Sequence, residues 1–388
     1  MFYIANEDDI KEGKVTDIYF KRSEEILKKL GKDVSVKAEV FLKSFPNNYQ
    51  WGVLAGIEES INLLKNGKDI SVRGMPEGII FKEFEPVMSI EGNYLDFGVF
   101  ETSILGFLCQ SSGITTKAAR CKLAAGDKPV YSFGARRVHP AITPMVERCA
   151  YIGGADGVST ILGAEAIGSQ AIGTMPHALI LIVGDTVEAT KAFNEIIKPK
   201  VKRISLIDTF NDEKFEAIRV SKALGKDLFG IRLDTPGSRR GDFKKILEEV
   251  RWELDIRGFK DIKLVVSGGL DEDDILDLNY IVDSYGVGTS ISGARVMDFA
   301  LDIVEIEGHK VAKRGKMSGA KKVLKCQNCF YHKTVLEEDN NSYGCPECGG
   351  KLEDLFVDMI KDKKVVYDFP PAAKIREKVL QQFKYIEL

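Results

Sequence analysis

Apolar positions change their rhythm along this chain. In the first hundred residues the pattern is mixed. It predicts a helix over Lys21–Leu30, a strand over Val34–Leu42 and a helix over Gly52–Leu64. Short extended stretches follow at Gly78–Phe84 and Val87–Ile90, divided by Pro86. From about residue 110 to 295, short continuous apolar runs alternate with helical periods. The runs are Val130–Phe133, Ile204–Asp208, Leu228–Leu233, Lys263–Ser267 and Tyr285–Ile291. Continuous rather than alternating apolarity is what a strand covered on both faces requires. Between the runs, Phe243, Ile246, Leu247, Val250 and Leu254 follow a helical period, as do Ile275, Leu278, Ile281 and Val282. The alternation predicts a parallel barrel or a doubly wound sheet. A polar helix is expected at the chain end.

Composition narrows the class. The chain has 388 residues, 44% hydrophobic and 29% charged, with 36 glycines and 12 prolines. These are values of an ordered globular protein of more than one domain. Its net charge of −3 does not favour non-specific nucleic-acid binding. No apolar run approaches the ~20 residues that span a bilayer. The longest candidate, Tyr94–Cys109, carries Asp96 and Glu101. The start has neither the basic nor the apolar region of a signal peptide, so a cytoplasmic protein is expected.

Four of the seven cysteines form two Cys-x2-Cys pairs, Cys326/Cys329 and Cys345/Cys348, 15 residues apart. Two tight turns with two thiolates each can close a tetrahedron around one zinc ion. Such a closed site holds a fold together and leaves no open position for chemistry. Cys109, Cys121 and Cys149 read as small buried apolar residues. Just before the cysteines, residues 313–325 carry six basic side chains and no acid, read as a solvated or phosphate-facing loop.

Polar and glycine-rich turns end several of the apolar runs. Ser267-Gly268-Gly269 and Gly286-Val287-Gly288-Thr289 expose backbone N–H groups on consecutive strands, as a monophosphate cradle would. Arg136 and Arg137 follow the strand starting at Val130, where guanidinium groups can clamp diphosphate or a carboxylate. Asp234, with Arg232 beside it, suits a ribose diol, and Asp208 also ends a strand, with helix capping as the plain alternative for both. His177 lies in the turn Gly173-Thr-Met-Pro-His177.

Six pieces in order resemble nicotinate phosphoribosyltransferase, in its archaeal form with a zinc-binding tail. They are Thr16-Asp-Ile-Tyr-Phe20, Phe133-Gly-Ala-Arg-Arg137, Gly173–His177, Gly230-Ile-Arg-Leu-Asp-Thr235, Ser267-Gly-Gly-Leu-Asp271 and Gly286-Val-Gly-Thr289. The resemblance implies an α/β protein: an irregular parallel barrel of the type II phosphoribosyltransferases, an N-terminal α/β sandwich domain and a small C-terminal zinc module. Its divisions are expected at 1–108, 109–297, a linking segment 298–320 returning toward the N-terminal domain, the module at 321–357 and a tail at 358–388. It implies transfer of a phosphoribosyl group from 5-phosphoribosyl 1-diphosphate to nicotinate in NAD synthesis, coupled to ATP, with magnesium. It also implies a homodimer with shared active sites and no nucleic-acid or membrane partner. In that scheme Phe133 and Tyr19, the latter from the partner subunit with Asp17 beside it, enclose the pyridine ring. Arg136 and Arg137 take diphosphate and carboxylate, Arg232 the diphosphate end, and Asp234 the ribose hydroxyls. Gly268, Gly269, Gly288 and Thr289 cradle the 5-phosphate, and His177 becomes phosphorylated.

Three other readings remain open at this level. One is quinolinate phosphoribosyltransferase, which decarboxylates its acid and calls for a richer cationic pocket. Another is a zinc-ribbon nucleic-acid-binding protein. The third is a flavin- or sugar-phosphate-binding barrel enzyme.

Overall fold

The computed structural model describes residues 1–65 and 69–388. They form two compact units, one of residues 1–116 and 295–387, the other of residues 117–294 with Leu388.

The first unit is built on a seven-stranded antiparallel sheet. Its order is His309–Lys310, Phe299–Ile306, Ser35–Leu42, Pro86–Asn93, Ile70–Gly74, Val357–Lys361 and Lys364–Val365. Val36, Ala38, Val40 and Leu42 alternate along strand Ser35–Leu42 and point one way, as a period of two dictates. They share a core with Ile57, Ile61 and Leu64 of one helix and with Ile104 and Leu108 of another. The chain leaves this sheet after Asn93 and rejoins it at Phe299, which pairs with Leu42. A small antiparallel sheet of Lys321–Cys326, His332–Leu336 and Leu352–Asp354 carries the four paired cysteines.

The second unit holds a six-stranded, wholly parallel sheet. Its order is Gly157–Val158, Val130–Ser132, Ser284–Val287, Lys263–Ser267, Gly230–Leu233 and Ile204–Leu206. The central strands are buried along nearly their whole length, which is why their sequences read as unbroken apolar runs. Helices Glu213–Leu224, Phe243–Ile256 and Glu272–Leu278 connect successive strands. Phe243, Leu247, Val250 and Leu254 form the buried stripe of the second.

The protein is thus a mixed α/β protein with a parallel sheet. Closure into a barrel is not made by hydrogen bonds among the described residues. Gly157–Val158 and Ile204–Leu206 remain edge strands, because residues 159–203 between them supply helices and loops instead of a further strand. Other expectations shift locally. Gly52 and Val53 pair as a short strand with Ile80–Phe81, and the helix begins only at Ile57. The first long helix starts at Ile18, three residues before the expected Lys21. The strand expected over Tyr285–Ile291 runs from Ser284 to Val287, and Thr289–Ser292 turn into a single helical turn. The apolar stretch Tyr94–Cys109 is no single segment. It turns through Tyr94–Phe97 and then enters the helix Glu101–Ala125. The polar C-terminal helix is Ala372–Gln382. No helix among the described residues is long and apolar enough to cross a membrane.

Candidate active site

The C-terminal ends of the parallel strands deliver one functional group after another to a cavity of about 460 Å³. After Val130–Ser132 comes Phe133, then a tight turn Ala135–Arg137 that presents Arg136 and Arg137. The Phe133 ring lies against Gly286, where an added Cβ would come within 2.5 Å of it, so glycine is what admits the ring. Tyr131 stacks beside it, 6.2 Å between centroids and 18° between planes.

Strand Gly230–Leu233 carries Arg232 and is followed at once by Asp234. Strand Lys263–Ser267 runs into Gly268 and Gly269, at φ of +89° and +67°. The Ser267 hydroxyl donates to Asp234 Oδ1 at 2.8 Å. A Cβ on Gly268 would lie 2.7 Å from that same oxygen, so both the backbone angle and the contact exclude a side chain there. Gly288 and Thr289 follow strand Ser284–Val287 and line the cavity, Gly288 beside the Phe133 backbone.

A second cavity, about 410 Å³, shares Phe133, Arg136, Arg232 and Asp234 with the first. It adds Ser159, Thr174, Met175 and His177. His177 starts the helix His177–Val183, and its Nε2 lies 3.2 Å from Asp208 Oδ2. Burial pushes the Asp208 carboxyl above the ordinary carboxylate range, partly offset by His177, and its Oδ1 has no hydrogen-bond partner among the described residues. Arg232 donates from Nη1 to the Thr174 hydroxyl, while its buried Nε has no partner among the described residues. Burial lowers the guanidinium from its usual value, and Asp234 and Asp208 counter that. Beneath the loop, the fully buried Glu147 carboxylate accepts hydrogen bonds from the amides and hydroxyls of both Ser159 and Thr160.

Thus Phe133, Arg136, Arg137, Arg232, Asp234, Gly268, Gly269, Gly288 and Thr289 meet in one cavity, and His177 lines its neighbour. Three contributors carry no motif of their own. Asp208 reads as a helix cap in sequence yet pairs with His177. Glu147 sits inside a helix among apolar residues. Arg240 brings a fourth guanidinium to the first cavity. The basic doublet Arg239-Arg240, five and six residues past Asp234, is the signal that could have found it.

Asp17 and Tyr19 belong to the first unit. Asp17 accepts a hydrogen bond from Thr102 at 3.0 Å, and the Tyr19 side chain is exposed. The basic segment is less free than its sequence suggests. Lys313 and Lys316 pair with the buried Asp302 at 3.0 and 3.2 Å, and Lys321 with the buried Glu39 at 2.9 Å. The sulfurs of Cys326, Cys329, Cys345 and Cys348 all lie within 4.8 Å of one another. Three of the pairs are 3.4, 3.4 and 3.6 Å apart. Zinc–sulfur bonds of about 2.3 Å in a tetrahedron need sulfurs about 3.8 Å apart, so the cluster fits that ion.

Two family models match the chain: the quinolinate phosphoribosyl transferase N-terminal domain over residues 17–112 and its C-terminal domain over residues 114–302. A solved structure from Pyrococcus furiosus described as nicotinate-nucleotide pyrophosphorylase is 54% identical, with a TM-score of 0.96 over 99% of this chain and 98% of that one. Nicotinate phosphoribosyltransferase of Bacillus subtilis is 28% identical over 89% of this chain and 76% of its own length. Human nicotinic acid phosphoribosyltransferase shares the fold, with a TM-score of 0.73 at 16% identity over 95% of this chain and 93% of that one. The resemblance to nicotinate phosphoribosyltransferases therefore holds. The activity drawn from it does not. The two family models and the 54%-identical pyrophosphorylase overturn the ATP-coupled transfer to nicotinate, and with it ATP as a cofactor and membership of the ligases. A quinolinate site calls for a richer cationic pocket, and Arg136, Arg137 and Arg232 line this one, with Arg240 as a fourth positive charge.

Proposed function

The chain belongs to the quinolinate phosphoribosyl transferase family, and from that premise we propose that it makes nicotinate mononucleotide from quinolinate and 5-phosphoribosyl 1-diphosphate, releasing diphosphate and CO2 without ATP. The observation that carries this reading is the cavity itself: three guanidinium groups, Arg136, Arg137 and Arg232, line it with one carboxylate, Asp234, while a fourth, Arg240, adds positive charge with its hydrogen bonds given to backbone carbonyls. A dicarboxylate and a diphosphate are both polyanions, and planar guanidinium forks bind each bidentately.

In the proposed reaction the pyridine nitrogen attacks the sugar C1 while diphosphate leaves with the C–O electron pair. The carboxylate next to the ring nitrogen then departs as CO2. Its bonding pair stays on the ring carbon, stabilised by the cationic nitrogen, until a proton is taken up. Phe133 holds one ring face. Arg136 and Arg137 orient the carboxylates and draw off charge from the diphosphate, with Arg232 at its far end. Asp234, fixed by Ser267, receives the ribose hydroxyls and steadies positive charge at C1. The amides at Gly268, Gly269, Gly288 and Thr289 take the 5-phosphate. His177, held by Asp208, offers a hydrogen bond to a ring carboxylate. Magnesium would neutralise the diphosphate, and Asp234 is the carboxylate lining the cavity that would help hold it. Zinc at Cys326, Cys329, Cys345 and Cys348 ties the small sheet together.

The same reading takes the parallel sheet as the core of an irregular type II barrel. It takes the molecule as a cytoplasmic homodimer in which Asp17 and Tyr19 of one copy complete the cavity of the other. The deciding assay supplies 5-phosphoribosyl 1-diphosphate, magnesium and quinolinate labelled in the carboxyl next to the nitrogen, without ATP. Labelled CO2 and diphosphate should appear in equal amounts. Nicotinate should turn over about tenfold slower or worse, since it forfeits one charge-assisted pair. Equal turnover of nicotinate, or no CO2 release without ATP, overturns the assignment.

A further inference from the structure

Arg240 differs from the other three cavity arginines in where its hydrogen bonds go. Nε donates to the Thr235 carbonyl at 3.1 Å. Nη2 donates to the Gly268 carbonyl at 2.7 Å and reaches the Ser267 carbonyl at 3.4 Å. The guanidinium lies over the Phe243 ring, 4.3 Å from its centroid, which fixes its plane. One side chain thus holds the backbone that follows Asp234 and the turn that closes the next strand.

Peptide planarity gives this clasp a consequence. In a trans peptide the C=O of one residue and the N–H of the next point to opposite sides. Drawing the Gly268 carbonyl onto the guanidinium turns the Gly269 amide away from it, and drawing the Ser267 carbonyl does the same for the Gly268 amide. Neither amide donates to a protein acceptor among the described residues. The two glycines stand at successive positive φ angles in the wall of the cavity, where adjacent amides make an anion-binding concavity.

We propose that Arg240 is a positioning residue that presents the Gly268 and Gly269 amides to the 5-phosphate of the phosphoribosyl substrate. Through Thr235 it also fixes the spacing between that cradle and Asp234. The role depends on the fork, because three backbone carbonyls are held from one rigid plane. A lysine ammonium brings the same charge as a single point on a flexible stem and cannot hold them together. The proposal rests on the phosphoribosyl reading of the cavity but is indifferent to which pyridine acid is used.

Calorimetry on the full-length chain tests it, with Arg240→Lys and Arg240→Ala titrated with inorganic phosphate and with magnesium 5-phosphoribosyl 1-diphosphate. Both variants should bind both ligands about tenfold more weakly, equivalent to about 1.4 kcal/mol. In steady state the KM for the sugar diphosphate should rise by a similar factor, with kcat at saturation and the KM for the pyridine acid moving by less than about threefold. Arg240→Lys keeps charge and stem and carries the test if Arg240→Ala fails to fold. Wild-type phosphate affinity in either variant overturns the proposal; full rescue by lysine would mean that charge alone matters. A wild-type protein that binds both phosphates but leaves quinolinate unchanged would overturn the proposed reaction while these affinities still judge Arg240.

Discussion

Asp208 has only 2% of its side chain exposed, and burial raises its carboxyl even with His177 at 3.2 Å. Arg232, 11% exposed, is shifted in the matching sense, toward its neutral form. Desolvation thus outweighs pairing on this wall of the site. Neither effect is legible in sequence, because it depends on what packs over a side chain and not on its neighbours along the chain. Glu101 in the first unit gives the same physics a measurable form. Burial, with Asp302 and Asp17 adding and Lys313 opposing, pushes its carboxyl from 4.5 up to about 7. The native state therefore holds this proton more tightly than the unfolded chain does. The stability it contributes is complete below about pH 4.5 and is lost as pH rises through about 7. Glu101→Gln keeps the volume and removes the charge. Urea unfolding should find the variant equal to the parent near pH 4 and more stable by about 1 kcal/mol at pH 8, a figure discounted for partial solvent exposure. A difference that does not change with pH would contradict the burial account.

The parallel strands were the most legible elements, since Gly230–Leu233, Lys263–Ser267 and Ser284–Val287 are apolar on both faces and end in polar or glycine turns. Short strands were not. Gly52–Val53 and Gly157–Val158 are two residues each and exist only because a partner strand lies beside them. The cysteine hairpin stands between these cases. Its spacing is a local signal, and the structure gathers the sulfurs. Its own core is thin: five buried residues, Leu324, Cys326, Val335, Cys345 and Leu352, of which two are cysteines. A metal cross-link would offset so small an apolar burial. Replacing Cys345 and Cys348 by serine should remove bound zinc, lower the melting temperature and expose residues 327–350 to protease, while the parallel sheet keeps its circular-dichroism signal. Absence of stoichiometric zinc from the unmutated protein, purified without chelator, would count against a metal centre.

At the scale of the whole molecule, the residues assigned to one reaction fall in different units. Phe133, the arginines and Asp234 belong to the second, Asp17 and Tyr19 to the first. If two copies share their sites, Tyr19→Ala and Arg232→Ala chains should each be nearly inactive alone. Mixing and re-annealing them should restore about a quarter of wild-type activity, because half of the pairs are mixed and each has one intact site. Mixtures no more active than their parents would argue for a self-sufficient chain. Sequence alone determined the α/β class, the chain order of five of the six parallel strands, the glycine turns, the arginine doublet and the paired cysteines. Each is a local pattern of covalent neighbours, with a period or spacing that physics restricts to few meanings. Only the tertiary structure decided that Arg240 clasps the Gly268 turn, that Asp208 holds His177 and that Glu147 anchors the loop at Ser159. Those contacts join residues 12 to 31 positions apart, and they form only when separate strand ends and helices converge on one side of a sheet.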